Sequence, residues 1–150
     1  MLENWLAPVP SDLLKRSSGL PSTAIFHQLR IHTTDFKVPN IECAKVVLIG
    51  VNARAANPIR EVFYPLVHSF GSTMMADLGN VRNQQTAFLI PLLKELIGAG
   101  SIPLLIGAEA QHIPALYHAF QEVRTETSMM VVDERIAFQA EQIESATDYL

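Results

Sequence analysis

The stretch Lys45-Val46-Val47-Leu48-Ile49-Gly50-Val51 decides the fold. Its unbroken β-branched and leucine content suits a strand covered on both faces, as strands of parallel sheets are. Downstream, Asn52 to Asn57 reads as a polar, alanine-rich loop, and Pro58 takes a first-turn position in a helix reaching Val67. Ile59, Val62, Phe63 and Leu66 recur at helical spacing and define that helix's apolar stripe, with Pro65 marking its last turn. Ser72 to Asn80 reads as a short strand leaving into a turn. A long helix follows over 84–97, ended by Gly98-Ala99-Gly100. Residues 101–106 form the next strand, 114–123 the next helix and 128–132 a last strand, with a helical tail from Gln139. This β-α-β-α-β-α-β alternation predicts an α/β fold, a three-layer α/β/α sandwich with a mainly parallel sheet and right-handed crossovers.

Upstream of that core, residues 1–40 read as an amino-terminal arm with short helices, leaving 41–150 as the α/β domain. Pro8 and Pro10 punctuate the arm, Ser11-Asp12 caps a helix through Leu13-Leu14, and a second helical piece runs from Ser22 to Leu29. A chain of 150 residues fits one domain, and 49% hydrophobic against 17% charged residues supplies a core buried from two sides. The mean hydropathy of +0.20 is high for a small domain and points to buried strands or a covered partner surface. A net charge of −4 without a basic tract argues against nucleic acid as a partner. No apolar run approaches the ~20 residues that span a bilayer, and the amino terminus lacks a cationic leader. The expectation is a cytoplasmic chain without membrane contact. The single cysteine, Cys43, excludes an internal disulfide and reads as a partly buried small residue.

Strand-end loops are where open α/β sheets bind ligands. After the first strand the chain offers Gly50-Val51-Asn52, and after the third Gly107-Ala108-Glu109. Neither has the closely spaced glycines of a phosphate-cradling loop, and Glu109 would repel phosphate. His27, His32, His68, His112 and His118 include no pair at ligand spacing, so each reads as structural or superficial. The acids are more suggestive. Asp77, Glu109 and Asp133 each close an apolar strand, and a parallel sheet would bring them to one rim. Three acids at a rim suit a divalent cation, two suit acid–base chemistry, and the alternative is that they cap helices and bond loop amides.

The ordered motifs resemble the ureohydrolase family of arginase, agmatinase and formimidoylglutamase, nearest its divergent formimidoylglutamase-like branch. Gly50-Val51-Asn52 followed by Asn57-Pro58-Ile59-Arg60-Glu61-Val62-Phe63-Tyr64 resembles the family's first strand and helix. Asp77-Leu78-Gly79-Asn80 resembles its Asp-Leu-Gly-Asp/Asn turn, and Leu105-Ile106-Gly107-Ala108-Glu109 falls where the family has Ile-Gly-Gly-Asp-His-Ser. Val132-Asp133-Glu134-Arg135-Ile136-Ala137 falls where it has Asp-Ala-His-x-Asp.

The resemblance implies an arginase-like, Rossmann-like topology and an ancestral chemistry in which two manganese ions generate the attacking hydroxide. Carried over residue by residue, the ligand set is depleted. Ala110 occupies the first histidine slot, Arg135 the second and Ala137 the closing aspartate slot, leaving Asp133 as the relic metal ligand. A guanidinium repels a cation, so Arg135 would instead pair with Glu109 or Asp133. The expected cleft lining is Asn52, Asp77, Asn80, Glu109, His112 and Arg135.

The family also has a further half beyond the point where this chain stops, so the chain reads as an amino-terminal, truncated part. The leading expectation is a degenerate site acting in binding or assembly without a cofactor, as a homo-oligomer or with the missing half. Two alternatives stand beside it. One is an active amidine hydrolase that retains manganese; the other is a Rossmann-like domain binding a small molecule.

Overall fold

The computed structural model describes residues 2–67 and 74–123. The expected last strand, the tail from Gln139, His68, Asp133, Arg135 and Ala137 lie outside them. The described residues form an α/β fold: an open, mostly parallel sheet of five strands with four α-helices.

Strand β3 (Val46–Gly50) lies between β4 (Met75–Val81) and β5 (Ile102–Ile106) and is parallel to both. Along its far edge β4 pairs with two short strands, parallel with β2 (Leu29–Ile31) and antiparallel with β1 (Leu6–Ala7). The arm therefore supplies two strands where only helical pieces are expected. Two- and three-residue strands are too short to show an alternation. Its helical pieces are α1 (Ser11–Ser17) and two 3₁₀ turns, over Leu2–Asn4 and Ile25–Gln28. Pro10, not Ser11 or Asp12, is the residue preceding α1, and no side chain caps that end.

Alternation along β3 divides the core. Val47 and Ile49 pack with Leu89, Leu93 and Leu96 of α3 (Thr86–Gly98) and with Ala115 and Ala119 of α4 (Ile113–Val123). Leu48 points the other way, to Ala56 of α2 (Ala53–Phe63). Helix α3 ends as its glycines predict. Gly100 adopts φ +84°, Ser101 N–H reaches Leu96 O at 3.1 Å, and Gly100 N–H reaches Ile97 O at 3.0 Å. These are the two bonds of a Schellman cap.

Helix α2 departs from the sequence reading in both start and orientation. It begins at Ala53, because Asn52 Oδ1 accepts the Arg54 N–H at 3.0 Å and caps the helix. Pro58 thus sits inside the helix on an exposed face. The stripe read as its buried face points largely outward, with Ile59, Val62 and Leu66 43%, 72% and 50% exposed. The inward face is Ala56, Arg60 and Tyr64 at i, i+4 and i+8, all fully buried.

Strand β4 also runs through the expected turn. Two steps along β3, from Leu48 to Gly50, match three along β4, from Asp77 to Asn80. That extra residue is a bulge, and Gly79 serves it with φ +83°. A side chain at Gly79 would also overlap the carbonyl of Ala7.

Candidate functional site

The chain leaves β3 toward β4 through α2 and leaves β5 into α4, so adjacent strands send their connections to different places. Beyond the carboxyl ends of such a strand pair lies the usual ligand crevice of an open sheet. Here Val51 N–H bonds Ile106 O at 2.9 Å, and Asn52 O accepts Ala55 and Ala56 N–H at 3.1 and 2.7 Å. Gly107, with φ +65°, lies so close that a Cβ would stand 2.6 Å from Ala56 N and 2.9 Å from Asn52 O. The loop after β5 is therefore seated directly on the first turn of α2.

Glu109 and His112 sit on that loop and bond mainly to each other. Glu109 N–H donates to His112 Nδ1 at 2.9 Å, and the Glu109 side chain accepts the His112 backbone N–H, a reciprocal cap of the 3₁₀ turn leading into α4. The same Nδ1 also lies 3.2 Å from Glu109 O. Gln111 Nε2 adds a bond to Glu109 Oε2 at 2.9 Å. Asn52 and Glu109 thus stand at neighbouring strand ends, each occupied in starting a helix.

Asp77 is elsewhere. It does not close a strand but lies inside β4, fully buried beneath α2. Its carboxylate accepts from Arg60 Nε at 2.8 Å, Arg60 Nη2 at 2.9 Å, Tyr64 OH at 2.9 Å and Gly79 N at 2.9 Å. Arg60 donates further to Gly79 O at 2.7 Å, Asn80 Oδ1 at 2.8 Å and Asn57 Oδ1 at 3.2 Å. These five bonds use all five guanidinium N–H groups. Burial works against the Arg60 charge, but the hydrogen bonds and charge of Asp77 outweigh it and hold the guanidinium above its ordinary range. Burial, then the Asp77 charge, push the Tyr64 hydroxyl well above the usual tyrosine value.

Gly50 belongs to this cluster. A Cβ there would overlap Asn80 Oδ1 and stand 2.9 Å from Ala56 Cβ. The sequence reading names Asp77 and Asn80 but misses Arg60, Tyr64 and Asn57. The available signal is an acid within an apolar strand, preceded by a helix carrying Arg and Tyr four residues apart.

No cluster of three or more His, Cys, Asp or Glu side chains occurs among the described residues, and Ala110 offers no donor atom. Of the remaining single residues, His32 is buried with Nδ1 3.0 Å from Leu78 O, His27 Nε2 lies 2.9 Å from Leu20 O, and Cys43 is exposed rather than partly buried. No described helix is long and apolar enough to cross a membrane. The chain matches no protein-family model, no curated protein and no solved structure.

Proposed function

We propose that this chain is a ureohydrolase-like α/β domain, in the three-layer arginase-like arrangement, that acts in the cytoplasm by binding or assembly rather than by metal-dependent hydrolysis. The observation that carries this reading is the fate of the acids. Asp77 is consumed by Arg60, Tyr64 and the Gly79 amide, and Glu109 is engaged with His112 in a helix start. Of the three acids expected at the rim, the two among the described residues are thus engaged in the fold.

Two surfaces support the assembly half of the reading. Ile59, Val62, Leu66 and Val67 form an exposed apolar face along α2 and the turn after it. Ile102 and Leu104 are also exposed, on β5, whose outer edge has no partner strand among the described residues. Both favour a homo-oligomer, a second copy covering the α2 face.

The test begins with protein purified without chelator. Its metal content is measured, manganese is titrated against melting temperature, and guanidino and formimino substrates are assayed for urea, formamide or ammonia. The expected outcome is substoichiometric metal, no stabilisation, no product, and a dimer or larger species by light scattering. Stoichiometric manganese with product release would overturn the proposal in favour of the hydrolase, with Glu109, His112 and Asp133 as its first candidates. A strict monomer would remove the homo-oligomer.

A further inference from the structure

At the carboxyl end of β4, on the same edge of the sheet as Asn52 and Glu109 but lined by other residues, the arm and helix α3 border a cavity of about 270 Å³. Its walls are Trp5 and Phe88, rings edge to face with centroids 6.1 Å apart. Its base is Val81 and Leu92, and Asn4, Arg82 and Asn83 stand on its lining as the polar groups. The arm builds one wall because Arg82 N–H bonds Trp5 O at 2.9 Å while β1 pairs with the end of β4. The other wall starts α3, where Asn83 Oδ1 accepts the Gln85 N–H at 2.9 Å and turns the chain into the helix.

Arg82 is the informative group. Its Nε donates to Leu6 O at 2.9 Å, which fixes the guanidinium plane. No carboxylate among the described residues forms an ion pair with it, and its Nη groups bond none of the described residues. A planar cation with unused donors suits a carboxylate accepting two parallel hydrogen bonds. The aromatic walls suit a flat apolar body, and the volume suits a ligand of small size.

From this geometry we propose that the Trp5–Phe88 cavity binds a small aryl carboxylate, its ring packed against the edge-to-face Trp5–Phe88 pair and its carboxylate on Arg82. The assignment does not rest on the ureohydrolase reading, since none of Asn52, Asp77, Asn80, Glu109 and His112 lines this cavity.

Trp5 is the sole tryptophan, so its emission reports on the site directly. The intact chain is titrated with phenylacetate and, in parallel, with its uncharged isostere phenylacetamide. The expected result is a saturable change in Trp5 emission with phenylacetate, at an affinity roughly tenfold or more above that for phenylacetamide. Arg82→Gln removes that preference, and Phe88→Ala weakens both probes. An absence of saturable change, or equal affinity for the two probes, overturns the proposal using the unaltered protein alone. A preference for phenylacetate that survives in folded Arg82→Gln overturns the role given to Arg82.

Discussion

Replacing Arg60 by Met tests the central physical claim about the interior. Methionine fills much of the arginine stem's volume but donates no hydrogen bonds. The Asp77 carboxylate, at 0% exposure, would lose two of its four donors and its one ion-pair partner among the described residues. Asn80 Oδ1 and Gly79 O would lose their guanidinium bonds as well. Breaking a buried pair from one side costs about 3–5 kcal/mol, because the survivor is left charged and uncompensated. Against a total stability of ~5–15 kcal/mol for an ordinary domain, that is a large fraction. Asp77→Asn isolates the same interaction from the other side by leaving Arg60 charged and unpaired. In the double variant neither charge is stranded, so its loss should fall short of the sum of the singles by about 2 kcal/mol or more. Urea unfolding followed by far-ultraviolet circular dichroism measures each corner of the cycle. A loss below ~1 kcal/mol for Arg60→Met, or additive singles, would refute the view that this pair holds α2 against β4.

Other consequences follow from neighbouring groups. Tyr64 keeps its proton in the folded state above the pH at which the unfolded chain releases it, so stability should be full below pH ~10 and fall above it, by at most about 1.4 kcal/mol per pH unit. Tyr64→Phe should lack its share of that alkaline slope in pH-dependent urea titrations. Gly50→Ala should cost about 1–3 kcal/mol, because its Cβ meets Asn80, Ala56 and Arg60, whereas Gly98→Ala, with open space around it in α3, should stabilise by ~0.5–1 kcal/mol. Thermal melts of the two variants should move in opposite directions. Val62→Glu, at a position 72% exposed, should change stability by no more than ~0.5 kcal/mol while shifting the light-scattering mass toward monomer. An unchanged mass would take the α2 face out of the assembly.

Elements with long, uniform patterns were legible in the sequence. The apolar runs of β3 and β5, the body of α3 with its glycine stop, and α4 lie within a residue or two of where periodicity puts them. What was not legible depended on a partner far along the chain. Helical periodicity on its own assigns Ile59, Val62 and Leu66 to the core; the ion pair with Asp77 instead turns Arg60 and Tyr64 inward. Asp77 reads as a strand end because an acid within a buried strand is costly, and the compensating guanidinium lies 17 residues earlier. The Asp77-Leu78-Gly79-Asn80 run reads as a turn because its chemistry is that of a turn. Gly79 spends that chemistry on a bulge against Ala7. At the candidate rim, the polar residues at the ends of β3 and β5 were legible. Their use in starting helices was not, since helix starts and ligand sites favour the same side chains.

The seat of β1 on β4 has a consequence for the order in which this protein folds. Leu6 pairs with Val81 and Ala7 with Asn80, so the first strand of the chain has no place in the sheet until the fourth has formed. Closing a loop of that length is slow compared with building the local β3-α2-β4 unit. Residues that precede the rest of the sheet are therefore fastened late, and with them the Trp5 wall. Reversible detachment of β1 would open the aromatic cavity. Amide hydrogen exchange would register that opening as earlier exchange at Leu6 than at Val47 and Leu48.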